Sequence, residues 1–369
     1  MSLRKICFIC IEIFGWGKYG GFGRATRTIA RELVKREIEV FAVVPKRQNQ
    51  KDFEIMDGIK VLGFDKYDLY HAKQLLSECQ ADIYHSEEPS IITYLAIKAL
   101  PSKIHLITSR DPRNFKDWVQ EALYPSGNSL QVLSNMLFEN NILVSRSVRK
   151  ADGVFYTAKF LKDKVIKKYS LKGNVKFLPT PVQIPKNTII KSEHPTVCFL
   201  SRFDRRKKPE LFFSLAESFP DVKFIAIGKS RDANYERYLK KKYSHIQNLE
   251  IPGFINQFET DKVSKILEKS WILINTSVRE GLPNSFLEAL AYRCAILSSV
   301  NPEDIVENFG FHVKNGNFTD GLRQLLTNDS WRTKGNEGQK YVSENYELNK
   351  AINEHINIYE SLIAAKSNL

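Results

Sequence analysis

The chain has 369 residues, 43% of them hydrophobic and 26% charged. That is enough for two globular domains, and it is not the composition of a disordered, collagen-like or low-complexity chain. Net charge is +13 and uneven: residues 1–185 carry 29 Lys and Arg against 19 Asp and Glu, residues 186–369 carry 26 against 23. A basic first half suits an anionic partner, although charge alone argues no more than a solvated surface. No 18-residue apolar run is free of charge, so a membrane-spanning helix is not expected. Five cysteines are too few for a disulfide framework, which points to a reducing, cytoplasmic setting. Cys7 and Cys10 have CxxC spacing, but a strand turns their side chains to opposite faces, as two small core residues.

In chain order, Lys5–Ile11 reads as a buried strand. Glu12 and the glycines that follow do not make a secretory cleavage site. A glycine-rich stretch, residues 15–23, precedes a helical pattern over Arg24–Arg36 and a second strand over Glu39–Val44. This is a βαβ unit. Further strands are predicted at Ile83–His85, His105–Thr108, Gly153–Tyr156 and Lys176–Pro179. Helices are predicted between them at Asp68–Glu78, Ser90–Ala99, Ser134–Lys150 and Lys159–Tyr169. Pro181, Pro185 and Pro195 bracket a polar linker.

The alternation then restarts, with strands at Thr196–Leu200, Lys223–Gly228, Leu249–Pro252, Trp271–Asn275 and Ala295–Ser298. Helices are expected at Pro209–Phe219, Tyr235–Tyr243, Asp261–Lys269 and Asn284–Tyr292, and three more close the chain from Asp320 to Lys366. The expected fold class is α/β: two Rossmann-like, doubly wound parallel-sheet domains, 1–183 and 184–349, facing a cleft.

Gly15, Gly17 and Gly20 match GxGxxG, but the helix is expected to start beyond them, near Gly23–Ala25. The second strand ends at Val44-Pro45-Lys46 without a carboxylate for a ribose, so a dinucleotide is disfavoured. Gly20, Gly21 and Gly23 would let the backbone come close to a ligand, with an anion such as a diphosphate at the helix start. The alternative is a turn that needs glycine for its conformation.

Arg202 and Lys207 bracket a loop between a strand and Pro209, a residue suited to a first helical turn. A guanidinium and a lysine can hold phosphate oxygens there; a solvated basic loop is the plainer alternative. Glu280 lies in a loop, Gly281-Leu282-Pro283 turns the chain, and a helix starts near Asn284 or Ser285. With Ser285 as N-cap, Glu288 would close a capping box. In the functional reading, backbone N–H groups from Leu282 to Ser285 face a polar ligand, Glu280 accepts bonds from hydroxyls and Glu288 reaches a vicinal diol.

Two glutamates with seven residues between them in EGLPNSFLEAL resemble the EX7E signature of retaining GT-B glycosyltransferases, family 4 (glycosyl transferases group 1). SRFDRRKKPELFFSLAESFPDVKFIAIG resembles that family's Arg…Lys segment, and GGFGRATRTIAREL its glycine loop. The resemblance implies a nucleotide-sugar donor held mainly by the second domain. Arg202 and Lys207 would take the diphosphate, with Lys208 as the alternative for the second role. Glu288 would take the ribose. Glu280 and the amides of Gly281, Leu282, Pro283 and Asn284 would meet the sugar, and Gly253, Phe254 and Ile255 the base. Gly20 and Gly21 would approach the diphosphate from the first domain, and a helix at about 350–369 would return to that domain.

Where many members carry a histidine, this chain has Arg110 or Asp111 at a strand end, and His85 reads as a satisfied core residue. Arg293-Cys294-Ala295 and Asn301-Pro302 replace the family's usual Gly-x-Pro and glycine pair. No Asp-x-Asp triplet or metal-spaced cluster is found, so no metal or other cofactor is expected. The expected partners are a nucleotide sugar and a sugar, glycan or lipid-linked acceptor. Peripheral contact with an anionic membrane at its inner face is expected, and nucleic acid is not. The rival functions are an epimerase, hydrolase or phosphorylase of the same fold, and a basic surface-binding protein.

Overall fold

The computed structural model describes residues 3–17, 19–47, 49–124, 129–173 and 175–367. It divides into two compact units. One comprises Met1–Trp118, Leu133–Pro181 and Leu348–Leu369; the other comprises Val119–Val132 and Val182–Glu347.

The chain runs through β1 (Lys5–Cys10), α1 (Gly21–Val34), β2 (Glu39–Pro45), β3 (Phe53–Met56), β4 (Ile59–Phe64), α2 (Leu69–Glu78) and β5 (Ile83–Glu87). Next come α3 (Ile91–Ala99), β6 (Ile104–Ser109), α4 (Phe115–Leu123), α5 (Ser129–Glu139), α6 (Ile142–Lys150), β7 (Gly153–Tyr156), α7 (Lys162–Tyr169) and β8 (Val175–Phe177). These strands form one sheet in the order β3-β4-β2-β1-β5-β6-β7-β8. It is parallel except for β3, which pairs antiparallel with β4. β1 alternates its side chains between two cores. Ile6, Phe8 and Cys10 join Ile29 and Leu33 of α1, while Cys7 and Ile9 join Ala72 and Leu76 of α2. Each fully buried aliphatic side chain of this kind contributes roughly 1.5–3 kcal/mol.

The second sheet takes β9 (Thr196–Leu200), β10 (Lys223–Ile227), β11 (Leu249–Gly253), β12 (Ile272–Asn275), β13 (Ala295–Ser298) and β14 (Gly310–His312). Its order is β11-β10-β9-β12-β13-β14, and every pairing is parallel. The helices are α8 (Pro209–Ser218), α9 (Ala233–Lys242), α10 (Lys262–Lys269), α11 (Asn284–Ala291), α12 (Ile305–Phe309), α13 (Phe318–Leu326) and α14 (Ser330–Asn345). The last helix, α15 (Leu348–Ser367), places Ile352, Tyr359 and Ile363 in the core of the first unit. Both units are thus Rossmann-like. Strand order reverses between β1 and β5 in one sheet and between β9 and β12 in the other, the positions where such sheets bind ligands. Among the described residues no helix is long and apolar enough to cross a membrane.

Several expected elements differ. α1 starts at Gly21, not near Gly23–Ala25, because the Gly23 N–H has a carboxylate partner, Glu12 Oε1 at 3.2 Å, that compensates a poor helix-forming sequence. The β3–β4 hairpin was not expected, although Asp57-Gly58 is its turn, with φ of 53° and 81°. The helix expected over Ser134–Lys150 is two, since Asn141 caps α6 by accepting from the Leu143 and Val144 N–H groups.

Candidate functional site

The second unit's switch point puts two loops side by side, one after β9 and one after β12. Three backbone carbonyls lock them together. Thr276 Oγ1 donates to the carbonyls of Lys207 and Lys208 at 2.6 and 2.9 Å, and the Val278 N–H donates to the Arg206 carbonyl at 2.9 Å. In the first loop, Asp204 Oδ1 accepts the Lys207 N–H at 3.1 Å, and its other oxygen lies 3.3 Å from Arg202 Nη2. Lys208 then takes a left-handed conformation, φ 44°, and Pro209 begins α8.

Across the gap Lys207 Nζ bonds Glu280 Oε1. Asn275 Nδ2 lies 3.4 Å from that same oxygen, and Asn275 is itself steadied by the Ser277 N–H at 3.1 Å. Burial pushes the Glu280 carboxyl up, but the cations Lys207 and Arg206 outweigh it and hold the group below the usual carboxylate range. Burial draws the Lys207 ammonium below its ordinary value, with Glu280 opposing. The side chains of Lys207 and Glu280 are 10% and 14% exposed, and that of Arg202 is 26% exposed. Arg202 therefore reaches solvent while the ion pair lies deeper.

Gly281 and Leu282 lead to Pro283, which is the N-cap of α11. Asn284 is the first helical residue and Ser285 the second, so the capping box expected from Ser285 and Glu288 does not form; the N-cap is Pro283, two residues earlier. The first turn of α11 carries no acidic side chain. Glu288 is half-buried one turn along the same helix. At the end of β11, Gly253 has φ 80° and open space on its Cβ side. Phe254 follows with the Lys229 ammonium 5.1 Å from its ring centre, and Ile255 is half-buried. Among the described residues no group of three or more His, Cys, Asp or Glu is placed to hold a metal ion.

The remaining candidates lie in the first unit. Gly20 is the N-cap of α1, and a Cβ there would stand 2.0 Å from Glu12 Oε1. A Cβ on Gly23 would stand 2.8 Å from the Ile13 carbonyl carbon. Close approach thus explains both glycines, and Gly21 is exposed beside them. Sequence reasoning missed Glu12, a carboxylate at the helix start where an anion was expected. Its one signal was a charge inside an apolar run.

Arg110 is buried, with Nε 2.5 Å from Glu87 Oε2 and Nη1 2.8 Å from Thr180 Oγ1. The N–H groups of Arg110 and Asp111 both donate to Glu88 Oε2, at 2.6 and 2.9 Å, and Asp111 lies 3.7 Å from Arg113. His85 is fully buried between Tyr359 and Thr108, at 2.8 and 2.7 Å, a satisfied core histidine.

Two family models account for most of the chain. Glycosyltransferase Family 4 matches residues 19–184, and Glycosyl transferases group 1 matches residues 183–347. No curated protein matches the sequence. Among solved structures, sucrose-phosphate synthase from Thermosynechococcus elongatus superposes with a TM-score of 0.74 at 15% identity, covering 98% of this chain and 100% of that one. HepE from Anabaena in complex with UDP gives 0.72 at 13% identity, covering 97% and 100%. The lipopolysaccharide outer core galactosyltransferase WaaB gives 0.64 at 16% identity, covering 97% and 100%.

Proposed function

Given that this chain belongs to the GT-B glycosyltransferases, we propose that it moves a hexose from a nucleoside-diphosphate sugar to an acceptor hydroxyl, with retention of configuration and without a metal ion, as a family 4 enzyme. The observation that carries this reading is the Lys207–Glu280 ion pair at the switch point, with the more exposed Arg202 in the same loop as Lys207.

Arg202 and Lys207 take the diphosphate, with Lys208 adjacent. As the bond from the anomeric carbon to the phosphate oxygen breaks, negative charge gathers on the leaving diphosphate, and these fixed cations stabilise it. Glu280 passes from Lys207 to the hydroxyls of the transferred sugar, joined by the N–H groups of Gly281, Leu282, Asn284 and Ser285. Pro283, which has no N–H, fixes the turn. Glu288 holds the ribose, and the backbone of Gly253, Phe254 and Ile255 meets the base. The acceptor oxygen bonds the anomeric carbon on the face that the diphosphate leaves, and its proton goes to a diphosphate oxygen. HepE has been solved with UDP-glucose, so UDP-sugars are the first donors to test.

The first unit is assigned to the acceptor, a sugar, glycan or lipid-linked hydroxyl compound, with Asp111 and Arg110 at the position of the family's histidine and Gly20 and Gly21 toward the diphosphate. Its basic surface suits an anionic membrane on the cytoplasmic side.

A thermal-shift panel of UDP-, GDP- and ADP-sugars should identify one donor that raises the melting temperature. Product analysis with that donor should give an α-linked glycoside from an α-linked donor, unchanged by EDTA. An inverted product, a free sugar formed equally fast without acceptor, or an isomerised nucleotide sugar would each replace this reading.

A further inference from the structure

We infer that Glu121 is a positioning residue of the donor site, a buried counter-ion shared by Arg206 and Arg279 that fixes the two loops presenting Lys207 and Glu280. The inference rests on the donor-site assignment above. Val119–Val132 groups with the second unit, not with the sequence that flanks it. From this segment Glu121 Oε1 bonds Arg206 Nη1 and lies 3.9 Å from Arg279 Nη1. The side chains of Glu121, Arg206 and Arg279 are 12%, 15% and 11% exposed, so the cluster is largely shielded from water.

Arg206 and Arg279 immediately precede Lys207 and Glu280 in the chain. The Val278 N–H to Arg206 carbonyl bond joins their backbones. Arg206, Lys207 and Arg279 therefore stand together on the two loops, where Glu280 pairs with Lys207 and Asp204 with Arg202. Arg206 already acts on both members of the Lys207–Glu280 pair. Deprived of the Glu121 carboxylate, Arg206 and Arg279 would compete with Lys207 for Glu280. Glu121 removes that competition. Glu280 is left to Lys207, while Arg206 and Arg279 share Glu121.

Charge and position give opposite signatures, which makes the test decisive. Glu121→Gln keeps the shape and removes one negative charge. Binding of UDP, GDP or ADP, whichever the wild type prefers, should tighten about threefold at low salt. With the wild type's nucleotide sugar, kcat should fall about tenfold or more, because Glu280 is misplaced. Glu121→Asp should recover part of kcat. So should the double variant Glu121→Gln/Arg279→Gln, which restores the charge balance. A residue that only braces the fold would lower melting temperature, nucleotide affinity and kcat together, and that outcome overturns the inference, as would wild-type behaviour of Glu121→Gln.

A wild type that binds a nucleotide but transfers no sugar defeats the proposed function instead, and the affinity change alone then decides the role of Glu121. If the wild type binds no nucleotide, the donor-site assignment falls. The shared counter-ion is then decided by a thermal cycle: fully additive losses in Glu121→Gln, Arg279→Gln and the double variant would refute it.

Discussion

Lys207 and Glu280 lie 73 positions apart in the chain and meet as a buried ion pair because β9 and β12 are neighbours at the point where strand order reverses. A buried pair tolerates loss of both partners better than loss of one, since a lone charge keeps its desolvation cost without its attraction. Lys207→Met and Glu280→Leu should each cost about 3–5 kcal/mol in urea unfolding, and the double variant should recover most of that. All three should lose sugar transfer. Equal additive losses would show that the two groups do not stabilise each other. The pair also sets a pH dependence. Glu280 is held below its unfolded value, so its contribution is present above the ordinary carboxylate range and is lost as pH falls through the lower folded value.

At the start of α1, Glu12 does the work of an N-cap from a distance. Glu12→Ala should destabilise the first unit by about 1–2 kcal/mol, because the Gly23 N–H loses its acceptor. Glu12→Gln keeps an acceptor oxygen and should cost less. Gly23→Ala should cost more than either, about 2–4 kcal/mol, since its Cβ meets the backbone of Ile13 and Phe14 rather than a movable side chain. Equilibrium unfolding of the three variants gives the order. If Gly23→Ala proved the mildest, close approach would not be the reason for that glycine.

Periodicity made the strand–helix alternation of both units legible, and the strand-end rule singled out the loops after β9 and β12 as a candidate site. What it could not supply was contact between distant segments. Glu12 looked like an interruption of a strand because its value depends on the first turn of α1, whose Gly23 N–H lies 11 residues later. The Ser285–Glu288 spacing suggested a capping box, but the N-cap falls at Pro283, two residues before Ser285. Glu121 carried no signal at all, since only the folded chain brings it to Arg206 and Arg279. The β3–β4 hairpin is different: Asp57-Gly58 was a readable turn signal, overlooked because β3 has only four residues and is half exposed.

His85 and His355 share Tyr359 Oη, at 2.8 and 3.1 Å, and so tie α15 to β5 inside the first unit. Burial drives both imidazoles down to a pKa of about 3, helped for His85 by Arg110 and for His355 by His85. Both are neutral in the folded chain at neutral pH. Between about pH 6.5 and pH 3 the unfolded chain binds protons that the folded chain does not, so stability must fall as pH falls through that window. Scanning calorimetry from pH 7 to pH 5 should show a falling melting temperature, with a shallower slope in His355→Leu. A slope unchanged by that substitution would place the acid sensitivity elsewhere.

Glu288 offers the sharpest separation of fold from function. It lies on α11 in the segment shared with the family model, and its proposed partner is the vicinal diol of the donor's ribose. A site built to accept hydrogen bonds from hydroxyls discriminates strongly against an analogue lacking one, because its buried acceptor is left unmet. The wild type should therefore prefer a ribonucleotide over its 2′-deoxy and 3′-deoxy analogues by about tenfold or more. Glu288→Ala should weaken the ribonucleotide and leave the deoxy analogues nearly unchanged, so that the preference disappears. Titration calorimetry with the six enzyme–ligand combinations reads the coupling directly, whatever sugar the enzyme transfers. Should Glu288→Ala weaken all three nucleotides equally, the carboxylate would be supporting α11 and not holding the ribose.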